Sequence, residues 1–201
     1  MTPSVDRDTQ EVMDVLRSAL TSSNLSQTAF ARALGTSGSR LSTYLNGGSR
    51  PSAHFVMRAR RLGRALDAAA NAGLMSAPVT AATMRKYYVA GDDAWIWRML
   101  LQGRDHLRLA LTSDDQSLID SWEADPPNIG DEGWNALLAA ITHHEFEQAD
   151  LEAPPWSRVN SLETPWIPEH PFISPDRVKA QTPEWLRRLN IFVAERDLAT
   201  A

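Results

Sequence analysis

The side chains best equipped for chemistry fall in two clusters. Between Ser26 and Arg50 stand Gln27, Thr28, Ser37, Ser39, Arg40, Ser42, Thr43, Asn46 and Arg50. No nucleophile in this group has a base beside it. These are hydrogen-bonding groups, suited to phosphate oxygens and base edges. The second cluster, His143-His144-Glu145-Phe146-Glu147, invites a metal reading. Neighbouring residues on a helix point about 100° apart, so both imidazoles cannot share one ion. His143 and Glu147 could, yet no third ligand has a useful spacing, and the pattern is not that of a zinc protease. A surface acid/His cluster is expected there. The 201 residues include no Cys, which excludes disulfides, Cys-ligated zinc and a thiol nucleophile. No P-loop, G-x-G-x-x-G or G-x-S-x-G is present. No catalytic residue, metal or cofactor is assigned, and an enzyme is the last of the readings.

The first cluster sits on a readable scaffold. Asp8 and Glu11 have capping-box spacing, and Val12, Leu16, Ala19 and Leu20 give one apolar face to a helix over Thr9–Ser22. Ser26 caps a second helix, Gln27–Leu34, closed by Gly35. Ser37 caps a third, Gly38–Leu45, closed by Asn46-Gly47-Gly48. Ser52 caps a longer fourth helix reaching about Asn71. Gly73–Pro78 reads as a linker, dividing residues 1–74 from residues 75–201. Helices are expected again over 90–112, 114–124, 131–148, 175–181 and 183–189, with a short extended segment at Ile191–Val193. Residues 153–183 hold seven prolines interleaved with Trp156, Trp166, Phe172 and Ile173, which predicts an ordered irregular strap. Trp95 and Trp97 with Tyr87 and Tyr88 read as core in preference to a ligand pocket.

Charge divides along the same line. The net charge of −5 argues against a polyanion partner only as an average. From Val15 to Leu66 there are eight arginines and no carboxylate; from Leu109 to Ser157 there are eleven carboxylates and no Lys or Arg. Two modules with different partners are implied, one partner being a polyanion. No apolar run is long enough to span a membrane, and the N-terminus lacks the order of a signal peptide, so a cytoplasmic protein is expected.

The run from Ser26 to Gly47, followed by Arg50-Pro51, resembles the Cro/CI-type (XRE) helix-turn-helix family. It has a Gln opening helix two, a small Ala four residues on, a Gly in the turn, a Ser/Thr-rich third helix and an Asn-Gly end. The resemblance implies a lambda-repressor-like fold with the third helix in the major groove. It also implies that Gly38, Ser39 and Thr43 face base edges and that Gln27 bridges a phosphate and the third helix. Familiar members often place a Gln where Gly38 stands, so readout must shift to Ser39, Arg40, Ser42 and Thr43, or to DNA shape. Arg40 either pairs with guanine or clamps a phosphate, and both readings stand. Ser37, Asn46 and Arg50 are expected on phosphates, and Thr28 at the mouth of helix two joins the DNA-contact set. The segments at 134–141, 153–156 and 182–193 resemble, diffusely, the C-terminal half of uncharacterised actinobacterial helix-turn-helix regulators and antitoxins.

The sequence thus points to an all-α protein: an N-terminal helix-turn-helix domain, then a mainly helical acidic domain with a Pro/Trp-rich irregular segment. The expected activity is a dimeric, autoregulating repressor of an operator, its acidic domain meeting a toxin as an antitoxin does. The alternatives are an ordinary or phage-type repressor whose second domain oligomerises or senses a ligand, and an interaction scaffold that does not bind DNA.

Overall fold

A computed structural model of the chain describes residues 6–169 and 174–199. The strap residues Pro171, Phe172 and Ile173, and the first five residues of the N-terminus, lie outside the described set. Among the described residues the structure is helical, and its one sheet-like feature is an isolated parallel bridge between Trp166 and Ile191. The chain forms two compact units. The first holds the chain up to Pro78 together with Ser113–Pro127, and the second holds Val79–Thr112 and the chain from Asn128 onward. The linker expected at Gly73–Pro78 abuts this division. The chain then returns to the first unit for Ser113–Pro127, a segment that the sequence reading gives to the second domain.

In the first unit α1 (Arg7–Ser22), α2 (Gln27–Ala33), α3 (Gly38–Leu45) and α4 (Ala53–Asn71) follow the expected order. Asp6, not Asp8, caps α1: its carboxylate accepts from the Thr9 amide at 3.0 Å and the Thr9 hydroxyl at 2.7 Å. The helix therefore starts two residues earlier than the capping-box spacing suggests, and Glu11 pairs with Arg7 instead. Ser26, Ser37 and Ser52 each accept from the amide three residues on, at 3.2 Å. Each thereby satisfies one of the free N–H groups at a helix start. Gly35 turns the chain at φ +66°, a conformation that costs a side-chain-bearing residue energy. Leu16, Phe30, Ala31, Leu34, Leu41, Leu45, Ala59, Leu62 and Leu66 make one buried cluster, and Ala124 from the returning segment completes it. That segment carries α7 (Gln116–Asp120), shorter than the helix expected over 114–124, and α7 packs on α4.

The second unit is built on α5 (Ala77–Ala90), which begins at the division, α6 (Asp93–Leu111) and α8 (Glu132–Gln148). The single helix expected over 90–112 begins at Asp93, because Gly91 at φ +69° ends α5. Trp97, Trp134 and Trp166 stack edge to face in series, at centroid distances of 5.3 and 5.2 Å. Trp166 lies so close to α8 at Gly133 that any Cβ there would meet its ring at 2.1 Å. The strap is tied down by Trp166 N–H to Asn190 O at 2.8 Å and Phe192 N–H to Trp166 O at 2.9 Å. A 3-10 turn, Pro155–Ser157, and the short helices α9 (Pro175–Gln181) and α10 (Glu184–Arg187) follow, before a last 3-10 turn at Glu195–Leu198. Buried Arg104 and half-exposed Arg108 of α6 both grip buried Glu145 of α8, at 2.5 and 2.8 Å, and Arg104 also donates to the Leu198 carbonyl.

Candidate nucleic-acid interface

The α2–α3 pair presents the residues singled out by the sequence as one exposed face. The core pins its back: Phe30, Ala31 and Leu41 are wholly buried, which fixes the crossing of the two helices. Gln27, Thr28, Ser39, Arg40, Thr43 and Asn46 are exposed, while Gly38 and Ser42 are half-buried. Gln27 opens α2 and its amide reaches toward the Gly38 carbonyl at 3.5 Å, a long contact that ties the two helix starts together. Thr28 lies beside the same glycine; a Cβ on Gly38 would stand 3.7 Å from its hydroxyl.

Most hydroxyls on α3 are already engaged locally. Ser37 Oγ caps the helix and lies 3.1 Å from Ser39 Oγ. Thr43 donates to the Ser39 carbonyl at 3.0 Å, and the Asn46 amide reaches Ser42 Oγ at 3.4 Å. Arg40 differs. Its Nε donates to the Tyr44 hydroxyl at 3.0 Å, and no carboxylate pairs with it among the described residues. Tyr44 is the participant that sequence reasoning missed. An arginine and a tyrosine four residues apart on a helix lie on one face, and that spacing was the available signal.

Arg50 stands apart from the α3 set. Its guanidinium meets Asp6 at 2.8 Å. The Thr9 hydroxyl and amide, and then Arg50, hold the Asp6 carboxyl down at about 2. Arg17 donates to the Leu45 carbonyl at 2.8 Å and so closes the C-terminal end of α3. On α4, Arg61 faces Asp120 and Glu123 at 3.7 and 3.4 Å. Arg58 faces Asp125, whose carboxyl burial pushes up against the opposing pull of that arginine. Arg60 and Arg64 are exposed.

The other constellations do different work. Both ring nitrogens of His143 are occupied, by Ser157 Oγ and by Glu147 Oε1, each at 3.3 Å. His144 stacks flat on Trp185 at 4.2 Å, and burial holds its pKa below the usual value. No three metal-binding side chains cluster among the described residues. Trp95 is exposed and stacked on Tyr87, whereas Trp97 joins the tryptophan series, so the aromatics around α6 do not act as one group.

Residues 16–62 match the family model described as Helix-turn-helix, a match that covers just under a quarter of the chain. No curated protein and no solved structure matches. Among the described residues no helix is long and apolar enough to cross a membrane. The matched segment takes in the C-terminal part of α1, all of α2 and α3, and the first half of α4. Residues 16–62 are a helix-turn-helix domain of the Cro/CI (XRE) type, and the chain is a DNA-binding transcriptional regulator.

Proposed function

We propose that this regulator is a sequence-specific repressor that works by occupancy. Two copies would set their α3 helices in successive major grooves of a near-palindromic operator, in the cytoplasm, and the operator would lie at the chain's own promoter. Gln27, Thr28, Ser37 and Asn46 would hold phosphates, and Arg50 would do so only on leaving Asp6, while Gly38, Ser39, Arg40, Ser42 and Thr43 would meet base edges. The observation that carries this reading is the single exposed face of hydrogen-bonding side chains on α2 and α3, free of any carboxylate, above a wholly apolar core. The acidic stretch Leu109–Ser157 supports a protein partner of basic surface, as an antitoxin has in its toxin.

A second reading rests on a different observation. A cavity of about 480 Å³ in the second unit, lined by His143, His144, Arg158 and Trp185 among others, is within the size range of small-molecule sites. It favours a repressor that senses a ligand.

The test is a titration of the full chain against duplex DNA from upstream of its own coding sequence, between about 50 and 200 mM salt. Tight binding at low salt that weakens steeply with salt, and exceeds binding to a scrambled duplex, is expected. Equal affinity for both duplexes, or none at low salt, refutes the repressor reading.

A further inference from the structure

We infer that Tyr44 is a positioning residue that presets Arg40 to read a guanine, making Arg40 the main source of sequence discrimination on α3. The inference rests on the DNA-binding reading above and goes beyond it by naming the base and the device that selects it.

α3 offers few groups able to read a base. Gly38 has no side chain, the Ser37 hydroxyl caps the helix and pairs with that of Ser39, and Thr43 donates its hydroxyl proton to the Ser39 carbonyl. Arg40 alone on α3 carries several N–H donors. A free arginine is a poor discriminator, because its many rotamers reach phosphate as readily as a base. Here the guanidinium is held. Its Nε–H goes to Tyr44 Oη at 3.0 Å. The Tyr44 ring is itself anchored on Phe55 of α4, with centroids 5.1 Å apart and planes tilted by 57°. The hydroxyl is thereby fixed by the core of the domain and not by solvent. With Nε occupied, the four N–H groups on Nη1 and Nη2 remain as an end-on fork. That fork matches the paired acceptors O6 and N7, which guanine alone presents in the major groove. Three other arginines of the first unit are closed by partners: Arg50 by Asp6, Arg17 by Asp14 and a carbonyl, and Arg61 by Asp120 and Glu123.

The experiment uses the full chain. Selection from a randomised duplex library gives its preferred site. Affinities of the wild type, Arg40→Ala, Tyr44→Phe and the double variant are then measured for that site, for each single-base change in it and for a scrambled duplex. Tyr44→Phe keeps the ring on Phe55 and removes only the hydroxyl, and thermal unfolding checks that the fold is retained. One G·C pair per half-site is expected to lose about tenfold or more of its discrimination in Arg40→Ala, with the salt slope unchanged. Tyr44→Phe should lose about fivefold at the same pair and nowhere else, as fits one hydrogen bond. In the Arg40→Ala background it should add nothing. The inference is overturned if Tyr44→Phe leaves that pair unaffected, weakens all duplexes alike, or acts additively with Arg40→Ala. It is also overturned if Arg40→Ala weakens preferred and scrambled duplexes equally and lowers the salt slope by about one, which marks a phosphate clamp. A wild-type chain that enriches no sequence overturns the proposed function and this inference together.

Discussion

Replacing Gly63 with alanine sets two opposite effects against each other, and the structure decides the sign. Gly63 lies inside α4, so an alanine there should gain up to about 1 kcal/mol of helix propensity. Yet α1 crosses α4 at that residue. A Cβ on Gly63 would stand 2.6 Å from the Ala19 carbonyl oxygen and 2.8 Å from the Ala19 Cα. Both are backbone atoms, so no rotamer change relieves the contact. Non-bonded heavy atoms settle near ~3.5 Å, so the helices must part by roughly 0.8 Å, enough to forfeit a quarter to a half of the dispersion along the seam. Leu16, Ala59, Leu62 and Leu66 pack in that cluster. Overpacking of this kind costs about 1–3 kcal/mol. Net destabilisation of up to about 2 kcal/mol is therefore expected from Gly63→Ala once the full propensity gain is set against the overpacking cost. Hydrogen exchange resolved by segment is the suitable assay, because it separates α1 and α4 from the second unit. Amides of α1 and α4 should lose protection while those of α8 keep theirs. Increased protection in α1 and α4 would show that propensity wins and that the close crossing is not a constraint.

Two other outcomes follow from the packing. Burial works against the Glu145 carboxylate, but hydrogen bonds and charge from Arg108 and Arg104 more than compensate, so its pKa lies below the ordinary value. A group depressed on folding stabilises the fold above its unfolded pKa and loses that contribution as pH falls through the folded value. Glu145→Gln, which strands buried Arg104, should cost about 3 kcal/mol at neutral pH and flatten the acid limb of the stability curve. A stability curve parallel to wild type below about pH 4.5, followed by urea unfolding, would contradict this pairing. Ala124→Asp puts an unpaired carboxylate among Leu and Phe side chains of the first unit, at a cost of about 3 kcal/mol or more. Exchange should speed up in α2 and α4 and DNA binding should fall; an effect confined to α6 and α8 would show that Ala124 does not belong to the first core.

What the sequence revealed was what local chemistry decides. Ser26, Ser37 and Ser52 were legible as caps because a cap needs only an oxygen and an amide three residues away. The face of α3 was legible for the same reason, its spacing being that of one helix. The start of α5 was not. Pro78 reads as a linker residue, yet it is the second residue of the helix, where its missing N–H costs nothing. The buried positions of α5 near its start are Ala77, Pro78, Thr80 and Ala81, small or polar residues that leave no apolar stripe to detect. The return of Ser113–Pro127 was invisible because nothing within those residues says which core Ala124 enters. The Asp6–Arg50 pair joins residues 44 apart, beyond any pattern of neighbours. The Arg40–Tyr44 bond was within reach, since the two residues stand four apart on one helix, though Tyr44 also packs on the core.

The return segment changes what the charge segregation means for DNA. The basic stretch from Val15 to Leu66 suggests a domain that grips any duplex. The first unit as a whole, however, carries nine arginines and ten carboxylates, five of them brought by Ser113–Pro127. Its attraction to DNA cannot come from net charge. The carboxylates sit opposite particular arginines: Asp6 on Arg50, Glu11 on Arg7, Asp14 on Arg17, Asp120 and Glu123 on Arg61, with Asp125 facing Arg58. Arg32, Arg40, Arg60 and Arg64 make no ion pair among the described residues, and of these Arg40 alone lies on α3. Non-specific affinity scales with the number of phosphates neutralised, whereas discrimination depends on contacts to base edges. Muting arginines away from α3 lowers the first and spares the second. Since every non-operator site in a genome competes, the ratio of the two governs occupancy. If α3 reads bases as proposed, a near-neutral domain with one preset arginine on that helix would raise that ratio, at the expense of raw affinity.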